Sequence, residues 1–297
     1  MPPIKSSPVP TEINAAEATS FSQPKTGIDH YENFPVASVL CPPHLRPAIA
    51  AIYWFARTAD DIADEGDAPP EERLKDLAAY RADLMASAAG LPTSPQWAAV
   101  FERLRPAITQ FALPVNLLAD LLSAFEQDVV KQRYASQAEL LDYCARSANP
   151  VGRLLLHLYG VHDDSALQES DCICTALQLI NFWQDLSVDI PRGRIYLPAD
   201  AWGSHGVDEA QLLALDSRPN AINLIADCAR SARATMLKGL PLVRKIPGRG
   251  GWELRLVVQG GLRILDKIEA LGFNTLQQRP KLGPWDVVVM GWRALWM

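Results

Sequence analysis

A chain of 297 residues, 48% of them hydrophobic, can bury one large core or two smaller ones, which excludes a mainly disordered protein. A net charge of −6 argues against nucleic acid as a partner. The five cysteines, Cys41, Cys144, Cys172, Cys174 and Cys228, are odd in number, form no CxxC pair and accompany no His cluster, so neither a disulfide framework nor a zinc site is expected and a reducing cytoplasm is the default.

Residues 1–28 are rich in Pro, Ser and Thr and lack the apolar stretch of a secretory signal, which predicts a flexible N-terminal arm. No apolar run reaches the roughly 18–20 residues of a membrane span. Helical periodicity begins with "LRPAIAAIYWFARTADDIADE" (45–65), where Pro47 is tolerated in the first turn. Side chains at i, i+3, i+4 and i+7 share a helix face, so Tyr53, Arg57, Asp60 and Asp64 form one stripe beside Ile49, Ile52, Ala56, Ala59 and Ala63. Like charges at i,i+4 repel by a few tenths of a kcal/mol on an exposed helix. Beside apolar residues the repulsion grows, and a hard divalent cation such as Mg2+ would offset it. A solvated acidic face with Arg57 as a local ion-pair partner accounts for this motif about equally well.

Further helices are expected at 70–90, 96–111, 114–133 and 137–160, the last kinked at Pro150 in "NPVG". A helix over 165–189 carries a second oxygen-bearing stripe, Gln178, Asn181, Asp185 and Asp189, beside Leu177, Ile180, Trp183 and Leu186. Two Asp-x-x-x-Asp helices facing each other across a cavity could hold several Mg2+ ions around one diphosphate, with Arg57, Lys131, Arg192 and Arg194 completing the neutralisation. The carbocation left when a prenyl diphosphate ionises needs an apolar pocket with aromatic faces, for which Phe34, Phe55, Phe182 and Trp183 are candidates. Residues 190–207 read as a loop. Helices at 219–239 and 252–271 follow, divided by the Gly-rich "IPGRGGW". With no period-2 strand series and no repeat, the pattern predicts one all-α domain over 29–282. In the tail, 283–297, Trp285, Val289, Trp292 and Trp296 fall on one stripe, with Asp286 and Arg293 on another side. That stripe suits either packing on the enzyme's own helices or an interfacial membrane contact.

The blocks "HYENFPVA", "AIYWFARTADDIAD", "YCARSANPVG", "QLINFWQDLSVD" and "RGRIYLP", in this order, resemble the squalene/phytoene synthases from about Asp29 to Arg279. The resemblance implies an all-α, isoprenoid-synthase-like bundle with a central cavity between two Asp-rich helices and Mg2+-dependent diphosphate chemistry. It implies metal ligands at Asp60, Asp64, Asn181, Asp185 and Asp189. It implies further contacts with substrate at Phe34, Tyr53, Arg57, Tyr143, Gln178, Arg194, Tyr196 and Arg279. One departure is Gln184, where the family commonly carries Arg. With "NFWQD" and "SANPVG", it makes the chain most similar to the bacterial hopanoid-pathway branch. There, presqualene diphosphate loses its diphosphate and water captures the cation to give hydroxysqualene. No GxGxxG follows a strand, so no NADPH is expected. The resemblance leaves as alternatives a head-to-head condensation of two prenyl diphosphates, a terpene cyclase and a non-catalytic assembly factor. It also raises handover from a presqualene diphosphate synthase and peripheral contact with the inner face of the cytoplasmic membrane through the tail.

Overall fold

The computed structural model describes residues 41–297, which belong to one compact unit. Phe34 and the N-terminal arm lie outside the described residues. The first four helices are α1 (Arg46–Asp64), α2 (Pro70–Ala88), α3 (Ala98–Phe111) and α4 (Val115–Val130). They close around a core in which Phe55 stacks on Tyr80 with ring centroids 5.2 Å apart, and the Tyr80 hydroxyl donates to the Phe55 carbonyl at 3.1 Å. Each such fully buried ring or leucine contributes about 1.5–3 kcal/mol. Phe55 is thus a core residue and not a cavity aromatic, which corrects that expectation; Trp183, 1% exposed, is a second.

The expected helix over 137–160 is two helices, α5 (Gln137–Ser147) and α6 (Asn149–Leu158). Ala148, at φ −119° and ψ −48°, separates them, and Pro150 stands in the first turn of α6, where its missing N–H costs nothing. The glycine of "NPVG" has a packing role. A Cβ at Gly152 would sit 2.5 Å from Cys174 Sγ and collide with Ser170 Oγ, so only glycine lets α6 lie this close to the next helix.

That helix, α7 (Asp164–Gln184), starts on an Asp163 cap accepting from the Ala166 N–H at 2.9 Å. It stops short of the expected end at position 189: Asp185 leaves the helical region, and the short α8 (Leu186–Asp189) follows. The Ser187 N–H donates to the Thr275 carbonyl at 3.1 Å, and this tertiary bond holds the bend. The stretch expected as a loop contains a 3-10 turn at Ile190–Arg192, a parallel bridge between Arg133 and Ile195, and α9 (Ala199–Ser204). Among the described residues there is no β-strand.

After α10 (Glu209–Leu213) and α11 (Pro219–Gly239), α12 spans Gly248–Ala270 and so begins inside the stretch read as a Gly-rich break. Tertiary packing over its glycines outweighs their poor helix propensity. The chain closes with α13 (Pro284–Ala294). α1 packs mainly on α3 and α4, whereas α7 packs mainly on α11 and α6. The two acid-bearing helices therefore belong to different halves of the bundle, with room between them.

Candidate active site

Both acid motifs sit at helix C-termini: α1 ends at Asp64, and Asp185 caps α7. A helix C-terminus carries about half a negative charge. Two such ends plus four carboxylates make a locus that demands cations, and the last turns of α1 and α7 contain no basic residue. Arginines from elsewhere answer the demand. Arg194 grips both carboxylate oxygens of Asp64, with Nη1 at 2.9 Å from Oδ2. Arg279 grips Asp185 in the same bidentate way, at 2.5 and 2.9 Å. Arg57 reaches Asp60 at 3.2 Å, Asp61 at 2.7 Å and Glu65 at 2.8 Å. The fork of a guanidinium matches a carboxylate and a phosphate equally well, so these arginines can exchange one for the other.

The spacing of Asp185 and Asp189 survives the bend, because α8 closes an i→i+4 bond from the Asp189 N–H to the Asp185 carbonyl at 2.8 Å. Burial, and then the neighbouring Asp185 charge, push the Asp189 carboxyl up to about 6, against the pull of Arg194, Arg192 and Arg279. Gln178 and Asn181 are half-buried along the same α7 stripe. Tyr53 is half-buried one turn before Arg57, edge-on to Trp54 at 5.3 Å. Lys131 is engaged elsewhere: it pairs with Glu139 and lies 5.4 Å over the Tyr134 ring.

A wall of aromatic rings forms, and of the four aromatics expected to shield a cation Phe182 alone belongs to it among the described residues. Phe182 stacks on Tyr196 at 3.8 Å, and Tyr143 and Tyr134 lie 6.4 and 5.9 Å from Tyr196. Against this wall stands a residue that the sequence reading missed. Asp128, near the end of α4, accepts from the Tyr143 hydroxyl at 2.8 Å. Burial pushes its carboxyl up to about 7, against the Tyr143 hydrogen bond and the Arg194 charge, while Asp64 and Asp60 add to the rise. The sequence signal was thin: in the amphipathic "FEQDVVKQRY", Asp128 has no second acid three or four residues away.

Between the two Asp-rich helices, where a central cavity was expected, lies an apolar cavity of about 750 Å3, including the solvent at its opening. It lies between the two halves and is walled by Ile49 of α1, Leu156 of α6, Ile173 and Leu177 of α7, and Leu254 and Val257 of α12. Ile49 precedes Asp60 by 11 residues and Leu177 precedes Asp185 by eight. At 1.5 Å per residue the cavity begins some 12–16 Å from the acids along both helices. An anion-handling end and an apolar chamber thus share α1 and α7.

All donors at the acid end are oxygen, the set a hard divalent cation prefers. Among the described residues no three acid, His or Cys side chains converge on one point, and the carboxylates close on arginines instead. Mg2+ takes only one or two carboxylates and fills its remaining positions with water and phosphate oxygens, so the residues fit it.

The squalene/phytoene synthase family model matches residues 29–286. The hydroxysqualene synthase of Sinorhizobium fredii is 34% identical over 281 residues, covering 93% of this chain and 92% of the relative. That of Rhodopseudomonas palustris is 32% identical over 280 residues, with the same coverage of both chains. Among solved structures, squalene synthase HpnC from Alicyclobacillus acidocaldarius superposes with a TM-score of 0.76 at 36% identity, covering 82% of this chain and 90% of that one.

Proposed function

The chain belongs to the squalene/phytoene synthase family and is an enzyme acting on prenyl diphosphates, and we propose that it converts presqualene diphosphate to hydroxysqualene. The observation that carries this reading is the pair of arginine-clamped carboxylates at one end of an apolar chamber. Together they suit one diphosphate on a long isoprenoid chain. The similarity to two hydroxysqualene synthases over most of the chain supports it.

The ionising C–O bond breaks with its electron pair passing to diphosphate. Arg194 and Arg279 leave their carboxylates and take phosphate oxygens as charge develops there. Mg2+, held through Asp60, Asp64, Asn181, Asp185 and Asp189, supplies Lewis-acid charge to the leaving group when bound. Tyr53 and Gln178 border the reacting end. The faces of Phe182, Tyr196 and Tyr143 stabilise the rearranging cation, and the chamber walls keep bulk water from it. One water oxygen then bonds to the cation and loses a proton to an Asp128 carboxylate oxygen. No electrons are transferred, so the reaction balances without a reductant.

The name of the solved relative, a squalene synthase, favours a second reading, head-to-head condensation of two prenyl diphosphates. Mass spectrometry of products from presqualene diphosphate or farnesyl diphosphate, each with and without Mg2+ and NADPH, separates the two. Hydroxysqualene from presqualene diphosphate with Mg2+ alone is the expected result. Squalene formed only with NADPH would overturn it. The same assay tests the ligands: Asp60→Ala and Asp185→Ala should abolish turnover at saturating Mg2+ while leaving the helical signal intact.

Handover of substrate from a presqualene diphosphate synthase fits this reading, because presqualene diphosphate is amphiphilic. None of the described helices is long and apolar enough to cross a membrane. Residence in the cytoplasm, with any bilayer contact peripheral and through the tail, belongs to the same proposal.

A further inference from the structure

The C-terminal helix α13 is mounted with its polar side inward. Asp286, 3% exposed, receives Arg263 Nε at 2.7 Å and Lys267 Nζ at 2.8 Å, both from α12. Arg293 reaches Asp266 of α12 at 2.6 Å, and Ala294 is fully buried. The outward face carries Trp285, Val288, Trp292, Leu295 and Trp296, which are 82, 61, 63, 56 and 75% exposed. An ordinary surface helix buries its apolar stripe and exposes its polar one. Here ion pairs fasten the helix, and the aromatic side is left to the outside. Packing of the Trp stripe on the enzyme's own helices, one of the two sequence readings, is thereby excluded for Trp285, Trp292 and Trp296, while Val289 is half-buried.

The aromatic surface continues along α12. Gln259, Arg263 and Lys267 mark the side of α12 that carries α13. Trp252, 40% exposed, falls on that side at helical spacing, and the Arg255 guanidinium lies 4.9 Å over its ring. Gly250, Glu253, Leu254 and Val257, on another side of the same helix, line the apolar chamber. One helix therefore separates the chamber from the aromatic surface.

We infer that the outward faces of α13 and of the start of α12 dock the enzyme on a lipid bilayer, with α12 as the shared wall between bilayer and chamber. The inference rests on the reading of the chamber as the isoprenoid site only for its last clause. Two features favour lipid over a second copy of the chain. The outward face of α13 presents no carboxylate, since Asp286 is neutralised inside. And Trp is the residue that settles at the headgroup level.

The test is co-sedimentation of the full-length chain, without substrate, with phosphatidylcholine vesicles containing or lacking phosphatidylglycerol. The wild type should bind both, because the aromatic face and not charge makes the contact. Replacing Trp285, Trp292 and Trp296 by Ser should weaken binding on the order of tenfold or more at unchanged melting temperature. If the triple variant melts early, Trp292→Ser alone and quenching of wild-type tryptophan fluorescence by brominated lipid decide instead. Absence of binding by the wild type overturns the inference, as does binding unchanged in the Trp variants. So does a dimer in solution that the Trp variants dissociate, since the face would then belong to a second copy. Turnover in detergent micelles is measured separately, so that failure to dock and failure of the proposed reaction register in different assays.

Discussion

Arg194 and Asp64 stand 130 residues apart in sequence and meet in a bidentate ion pair. The pair ties the segment after the second acid motif to the end of the first, and its hydrogen bond holds the Arg194 guanidinium even more firmly protonated than usual. It is a latch between the two halves of the site and, in the proposed reaction, a stored cation for the leaving group. Arg194→Gln should lower kcat by about 10²–10³, the range found when one preorganised charge-stabilising donor is lost. Arg194→Lys should recover only part, because an ammonium cannot fork. Diphosphate release under single-turnover conditions is the readout. Because both partners are partly exposed, the melting temperature should move little.

Asp128 links the aromatic wall to the acid end, and its raised carboxyl has consequences in two assays. In the substrate-free protein, folding takes up a proton at Asp128 between its ordinary value of 3.8 and about 7. Its contribution to stability is therefore greatest at acid pH and falls as pH rises through that window. Asp128→Asn keeps an oxygen for the Tyr143 hydroxyl but cannot ionise. Its melting temperature should gain on the wild type progressively from about pH 4 to about pH 7 and then run parallel. A constant difference across that range would remove the titration argument. Turnover should fall by about 10²–10⁴ if the carboxylate takes the proton from water.

The bundle was legible from helical periodicity, and so were the acid stripes, because 3.6-residue spacing survives any packing. What escaped was set by tertiary partners. The break at Asp185 depends on the Thr275 carbonyl, almost a hundred positions away, and α12 continues through Gly250 and Gly251 only because neighbouring residues press on them. Asp128 escaped because no acid stands three or four residues from it on its amphipathic helix; its environment comes from Tyr143 and Arg194. Phe55 and Phe182 looked alike in sequence. One faces Tyr80 in the core and the other faces Tyr196 at the site, a distinction that periodicity alone does not make.

Gln184 has a definite task in the structure: its side-chain amide donates to the Pro280 carbonyl at 2.8 Å. That bond fastens the residue next to Arg279, whose guanidinium holds Asp185. A neutral amide here adds no cation for diphosphate in the proposed reaction. The wild type should accordingly make little or no presqualene diphosphate or squalene from farnesyl diphosphate alone. Efficient condensation by the purified chain, seen by mass spectrometry of extracted products, would defeat this reading of position 184.

The far end of the chamber supplies the last prediction. A Cβ at Gly250 would lie 2.7 Å from the ring of Tyr159, and both residues line the chamber. Gly250→Ala would gain up to about 1 kcal/mol of helix propensity but meet a steric cost of about 1–3 kcal/mol. The phenol, hydrogen-bonded to Cys41, is the part that must yield, and moving it takes volume from the chamber that both residues line. The melting temperature should therefore change by only a few degrees. In the proposed reaction a long substrate would fill the chamber to its end, whereas a short one would stop nearer the acids. Inhibition by a C30 diphosphate analogue should weaken more than inhibition by a C15 analogue, and Tyr159→Phe in the Gly250→Ala background should relieve little of the difference, because the ring remains. Equal weakening for both chain lengths would show that the substitution acts on the acid end, and that this chamber does not hold the chain terminus.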